Sequence, residues 1–291
     1  MKQWVVLSGK GGTGKTSVAA ALAHLAAQER QVVLADADVD AANLELLLSP
    51  QVVETHDFIG GKVADINVDL CTACATCAEV CRFGAIQPGD AYRVDPMACE
   101  GCAACFCECP AEAIRMVDRV SGRWFHSKTR LGPLFHARLF AGEENSGKLV
   151  AQVKQSARYL AWATDAGLLL VDGPPGIGCP VIATTTGADL ALLIVEPSVS
   201  GVHDLKRILG VARHFQVPAA VCVNKADINP GRTAEVEALC HTEDVPLVGT
   251  IPFDTVVTEA MVHQQAVTEY DSGAVSQALQ GVWGALRGHL E

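Results

Sequence analysis

Two groups of residues in this 291-residue chain combine type and spacing in ways that do chemistry. The first is Gly9-Lys10-Gly11-Gly12-Thr13-Gly14-Lys15-Thr16-Ser17, which follows the apolar run Trp4–Leu7 and opens an alanine-rich segment ending at Ala27. A glycine-rich turn between a strand and a helix lets backbone N–H groups converge on phosphate oxygens, and the helix N-terminus adds the positive end of its dipole. In that setting Lys15 reaches the β- and γ-phosphates and the Thr16 hydroxyl ligates Mg2+. The second group is cysteine. Cys71, Cys74, Cys77 and Cys81 recur 28 residues later as Cys99, Cys102, Cys105 and Cys109, and Ala85-Ile86 recurs as Ala113-Ile114. The C-x2-C-x2-C-x3-C spacing sets three thiolates on one tight loop around a four-iron four-sulfur cluster and sends the fourth to the neighbouring cluster. Applied here, Cys71, Cys74, Cys77 and Cys109 hold one cluster, and Cys99, Cys102, Cys105 and Cys81 hold the other. A zinc site would require separated C-x2-C pairs, which this triple spacing fits poorly. Pro110 follows the last ligand as the motif expects, whereas Arg82 stands where a proline would follow Cys81.

The elements that must carry these residues alternate in type. Trp4–Leu7, Val32–Ala35, Leu168–Val171, Leu190–Val195 and Ala219–Val223 are short apolar runs, and the segments between them are long enough for crossover helices. Leu149, Val150, Val153, Ala157, Leu160 and Ala161 recur at helical spacing, and Val202–Phe215 reads as another covering helix. The expected fold class is therefore α/β, a mostly parallel sheet with helices on both faces. From about Asp57 to Asp118 the alternation stops and cysteine, proline and small residues take over. This segment reads as a small α+β domain of bacterial ferredoxin type at 58–118, inserted into a P-loop domain formed by 1–57 and 119–291.

Composition narrows the partners. Twenty-two basic and thirty-three acidic residues leave a net charge of −11, which opposes binding to nucleic acid or to an anionic membrane surface. No apolar run approaches the roughly 18 residues of a membrane span, and the N-terminus meets Gly9 too early for a signal-peptide core. The expected compartment is the cytoplasm, where a reducing pool disfavours disulfides and a dense cysteine cluster is better read as metal-binding or redox-active.

Lys10, just after the first glycine, makes the phosphate loop resemble the deviant Walker A group, which includes MinD, ParA, the Mrp-type iron–sulfur carriers and the nitrogenase iron protein. The resemblance implies that Lys10 reaches across an ATP-sandwiched homodimer to the partner's nucleotide. Asp36-Ala-Asp38-Val-Asp40 looks like the group's switch I, in which the Asp38 position orients or deprotonates the attacking water. Asp172-Gly-Pro-Pro-Gly176 resembles its Walker B and switch II, with Asp172 holding Mg2+ through water. Val223-Asn224-Lys225 matches the strand-end asparagine that reads adenine, and Ile251-Pro252-Phe253-Asp254 matches the loop lining the base. Lys10, Lys15 and Asp38 are thus the expected catalytic residues, and Asn224 and Pro252 join the loop in binding ATP. Nearly end to end, the chain looks like MinD-superfamily ATPases with an inserted ferredoxin domain. Ser127–Pro133, Glu144–Val150 and Val199–Lys206 also resemble segments recurring there.

Four cysteines remain. Spacing assigns Cys107 no ligand role, and Cys222 and Cys240 read as small hydrophobes. Cys179, seven residues after Asp172, resembles in offset the cluster-bridging cysteine of the nitrogenase iron protein, but the second cysteine that bridge needs is absent from 119–167. Arg123, Lys128, Arg130, His136 and Arg138 form the one basic concentration, either a docking face or an ordinary solvated surface. Val275, Leu279, Val282, Leu286 and Leu290 share a helical face, read as packing on its own domain because Arg287 and His289 are the only basic residues nearby. The leading expectation is an Mg-dependent ATPase whose nucleotide-switched dimer gates electron transfer between two 4Fe–4S clusters and a redox or iron–sulfur protein partner. The alternatives are a cluster carrier of Mrp type and a positioning ATPase like MinD or ParA.

Overall fold

The computed structural model describes residues 1–143 and 145–290. Glu144, the first residue of the 144–150 segment matched above, lies outside them. The elements run β1 (Lys2–Ser8), α1 (Lys15–Ala27), β2 (Val32–Asp36), α2 (Leu44–Leu48), β3 (Gln51–Ile66), α3 (Thr76–Glu79), β4 (Ile86–Gln87), β5 (Arg93–Val94), α4 (Ala104–Cys107), β6 (Ile114–Lys128), β7 (Pro133–Leu139) and α5 (Ser146–Ala163). They continue through β8 (Leu168–Pro175), α6 (Cys179–Thr185), β9 (Leu190–Val195), α7 (Val199–His214), β10 (Ala219–Asn224), α8 (Pro230–Thr242), β11 (Leu247–Ile251), α9 (Val256–Val262), α10 (Val267–Tyr270) and α11 (Ala274–Leu286). The chain divides into two compact units, one of 1–56, 124–138 and 146–291, the other of 57–123 and 139–145.

In the first unit, β1 lies between β8 and β9, with β2 beyond β8 and β10 then β11 beyond β9, all paired in parallel. β2 also pairs in parallel with β7, and among the described residues the sheet has nine strands in the order β11-β10-β9-β1-β8-β2-β7-β6-β3. The central strands are buried along nearly their whole length, as expected of apolar runs covered on both faces. The alanines of α1 present little side-chain volume, so the helix packs closely on one face, where Trp4, Leu22, Leu34, Leu168, Leu192 and Trp283 share a core. The Trp4 and Trp283 rings sit 5.7 Å apart. Val275, Leu279, Val282 and Leu286 of α11 are buried in the same core and Leu290 packs against it, so the terminal apolar face is consumed within the chain. None of the described helices is long and apolar enough to cross a membrane.

The second unit's bounds differ from the expected 58–118: β3 and β6 both begin in one unit and end in the other, and the unit also takes 119–123 and 139–145. Alternation in β3 is weak because its first residues are exposed on both faces, so periodicity could not announce a 16-residue strand. In the basic concentration, read as either a docking face or a solvated surface, several members are engaged within the chain. Arg130 donates to Glu269 and to the Leu47 carbonyl, Arg138 pairs with Glu45, Arg123 pairs with Asp57 at 3.1 Å, and His136 is buried.

The second unit repeats its backbone along with its cysteines. Ala73 and Gly101, Ala75 and Ala103, and Gly84 and Glu112 are pairs 28 residues apart, and all adopt left-handed φ. Ala85 N–H donates to Cys81 Sγ and Ala113 N–H to Cys109 Sγ, each at 3.4 Å.

Candidate functional site

The phosphate loop joins β1 to α1, and Gly12 and Gly14 sit at φ 78° and 84°, the left-handed region that glycine enters without a Cβ penalty. Lys15 opens α1 and is buried, its Nζ 2.8 Å from Asp172 Oδ1 and 3.9 Å from Asp38 Oδ2. Burial works against its charge, but Asp172, Asp36 and Asp38 more than offset it and hold the ammonium above the ordinary lysine range. Asp172 lies within β8, in register with Asp36 at the end of β2. Its other oxygen, Oδ2, is buried without a hydrogen-bond partner. An orphaned carboxylate oxygen beside a P-loop fits an Mg2+ site, since a bound cation or its water would satisfy it. Thr16, the other residue expected to ligate Mg2+, is half-buried on the first turn of α1.

Burial pushes the Asp38 carboxyl up, with Lys15 opposing. Lys10, on the exposed side of the loop, places Nζ 3.0 Å from Glu196 Oε2, 3.0 Å from Ser198 Oγ and 3.3 Å from Ser200 Oγ. Within one chain, therefore, this lysine is engaged in cis. Asn224 at the end of β10 donates from Nδ2 to the Thr13 carbonyl at 2.7 Å. Pro252 lies in the loop after β11, next to Phe253, whose N–H donates to Asp227 Oδ1 at 2.7 Å. Gly9, Lys10, Thr13, Lys15, Asp38, Asp172 and Asn224 thus gather at the carboxyl ends of β1, β2, β8 and β10, where open α/β sheets bind ligands.

Sequence reading assigned no individual role to three further residues. Asp36, fully buried, caps the backbone of Asp38 at 3.1 Å and of Leu44 at 3.0 Å, and burial together with Asp172 pushes it up to about 8. Glu196 takes Lys10 on one oxygen and Lys225 on the other, the latter at 2.8 Å. Against its own desolvation, hydrogen bonds from both lysines hold its carboxyl below the usual range. Lys154 of α5 donates to the carbonyls of Ala183, Thr184 and Thr186 at 2.7, 2.9 and 2.6 Å, closing the C-terminus of α6. Burial lowers its pKa to about 8. An acid at a strand end could have flagged Asp36 and Glu196, but a lone helical lysine carries no such signal.

In the second unit, one small pocket is lined by Cys71, Cys74, Cys77 and Cys109 together with Ile66 and Tyr92. Another is lined by Cys81, Cys99, Cys102 and Cys105 with Phe83 and Met116. Exposed Cys107 lines neither. Among the described residues no three His, Cys, Asp or Glu converge as ligands of a single metal ion, and all twelve cysteines are free. Cys222 is buried in β10, its thiol pushed up to about 12, and Cys240 is buried with its thiol at about 11; both behave as small hydrophobes. Cys179 is exposed at the start of α6.

Residues 4–267 match the family described as the CobQ/CobB/MinD/ParA nucleotide binding domain. An uncharacterised Methanocaldococcus jannaschii protein is 38% identical over 77% of this chain and 78% of its own length. The septum site-determining protein MinD of Escherichia coli is 26% identical over 88% of this chain and 80% of its own. MinD of Pyrococcus horikoshii, solved with Mg-ADP, superposes with a TM-score of 0.61 at 19% identity, covering 100% of this chain and 98% of that one, which shows a shared fold. With a phosphate loop, a lysine-bound aspartate on β8 and a family match spanning most of its length, the chain belongs to the CobQ/CobB/MinD/ParA nucleotide-binding domain family and is a P-loop ATPase of that family.

Proposed function

We propose that this protein is a nucleotide-switched homodimer in which an ATPase of MinD/ParA type works on a second unit holding two 4Fe–4S clusters, and so couples ATP to electron transfer. The observation carrying the iron–sulfur part is that two separate cavities each draw three cysteines from one sequence repeat and the fourth from the other. A four-iron cluster binds each thiolate through a different iron, so its ligands surround a volume and need not meet at one point. The left-handed residues before α3 recur before α4, so the two cysteine loops share one backbone conformation. Such clusters supply one-electron chemistry.

In the ATPase unit, Thr16 and Asp172 would hold Mg2+, which would supply charge neutralisation at the phosphates. Lys15 leaves Asp172 for the β- and γ-phosphates, the N–H groups of Gly11 to Ser17 cradle the remaining oxygens, and Asp38 orients the water in line. Lys10 completes the partner's site, for which it must leave Glu196. Anaerobic purification with iron quantification and EPR, with and without Mg-ATP, tests the whole. About eight irons per chain and a nucleotide-sensitive cluster signal are expected; an iron-free protein with full ATPase activity would refute the redox reading.

A positioning ATPase like MinD or ParA is the second reading, and the comparisons fit it at least as well, since the septum-site protein matches 88% of the chain. ATP-dependent cosedimentation with liposomes or DNA would establish it. A third, an Mrp-type carrier, predicts rapid cluster release to an apo-protein.

A further inference from the structure

The segment 139–145, which links the end of β7 to α5, belongs to the second unit, whereas the rest of β7 and all of α5 belong to the first. Phe140 N–H donates to the Ser121 carbonyl at 2.9 Å and Asn145 Nδ2 to the Gly60 carbonyl at 3.2 Å, which pins the segment near both ends. Between these points Gly142 takes φ 78°, and Glu143 N–H closes the turn on the Phe140 carbonyl at 3.1 Å. The turn delivers the Glu143 carboxylate to Arg119 of β6, whose Nε and Nη2 both donate to Oε1, at 2.9 and 2.5 Å. The remaining nitrogen, Nη1, donates to the Cys99 carbonyl at 3.1 Å. Both side chains are mostly buried, 20% and 12% exposed, so water screens the pair only in part.

Cys99 lines the second cysteine pocket with Cys81, Cys102 and Cys105. The repeat copies the cysteines and the backbone but not this arginine. Cys71 is the equivalent of Cys99, 28 positions earlier, and among the described residues no arginine donates to its carbonyl; the equivalent of Arg119 is Ala91. Arg82, beside Cys81, is exposed, so its charge is largely screened. Reduction adds one negative charge to a cluster, and a nearby cation under partial burial favours that state. Glu143 offsets some of the charge, but it occupies one edge of the guanidinium and leaves the other turned to Cys99. We propose that Arg119, held in place by Glu143, raises the reduction potential of the cluster on Cys81, Cys99, Cys102 and Cys105 above that of its neighbour. Arg119 is a positioning residue for charge: it biases the single electron exchanged between the two sites toward the Cys99 side, the electron itself coming from the one-electron redox partner. The inference rests on the iron–sulfur reading above and adds a direction to it.

The test is a dithionite potentiometric titration followed by EPR, on the full chain purified anaerobically, with iron quantified on the same samples. Wild type should show two separate one-electron midpoints. Arg119→Gln leaves Glu143 uncompensated and should lower the higher midpoint by roughly threefold to tenfold in the reduction equilibrium, about 30 to 60 mV at about 59 mV per decade for one electron. Glu143→Gln keeps an oxygen for Arg119 but removes the opposing charge, and should raise the same midpoint by a similar amount. The lower midpoint should stay in place in both variants. A purely structural clasp would move the midpoint in one direction for both variants, or cost both of them iron, and either result overturns the proposal. So do equal midpoints in wild type, or unmoved midpoints in variants with full iron, which leave the iron–sulfur reading intact. An iron-free wild type overturns both.

Discussion

Glu196→Gln should strengthen ATP-dependent dimerisation. In the single chain Lys10 rests on Glu196 Oε2 at 3.0 Å with two serine hydroxyls beside it, and its side chain and that of Glu196 are 30% and 23% exposed. A pair exposed to that degree is partly screened, so its charge contributes about 1 kcal/mol to holding the lysine in cis. Crossing to a partner's nucleotide gives up that contribution once in each of two protomers, about 2 kcal/mol per dimer, or roughly 30-fold in the dimer dissociation constant. The glutamine keeps an acceptor for Lys225, which also retains the Gly12 carbonyl, so the phosphate loop stays supported. Sedimentation velocity across a concentration series, with a non-hydrolysable ATP analogue and Mg2+, reads the constant directly, and nucleotide affinity of the dilute monomer serves as the control. If affinity is unchanged and the dimer is no tighter than wild type, Lys10 is not restrained by Glu196 and the reasoning fails.

Other consequences concern stability and metal content. Asp36 titrates at about 8 in the folded protein and near 4 when unfolded, so between those values the native state holds the extra proton. The melting temperature of the nucleotide-free protein should therefore fall as pH rises from about 5 to 8, and Asp36→Asn should flatten that slope while losing one backbone cap; an unchanged slope refutes the assignment. Lys154→Met removes the donor from three carbonyls at the end of α6 and should cost about 3 kcal/mol in urea denaturation, against less than about 1 kcal/mol if those carbonyls find water. After anaerobic reconstitution, Cys77→Ser should reduce bound iron by about half and Cys107→Ser should leave it unchanged; equal losses in both would contradict the two-cavity assignment.

The phosphate loop, Asp172 and the paired cysteine sets were legible in the sequence because each belongs to a local pattern: spacing along the chain already dictates which atoms converge. The apolar runs that became β1, β2, β8, β9 and β10 were legible for a related reason, since a strand buried on both faces must be apolar throughout. β3 and β6 were not, because neither is buried along its length and partial exposure imposes no clear period. Equally hidden were the partnerships made by distant segments. The sequence alone could name Lys10 but not show that it rests on Glu196, 186 positions away. The carbonyls of α6 closed by Lys154 and the buried Asp36 caps depend likewise on which helix packs over which strand. Local spacing determined the kinds of chemistry this chain carries; tertiary packing decided which charges restrain it, because desolvation and pairing arise only when remote segments are brought to within 3 or 4 Å.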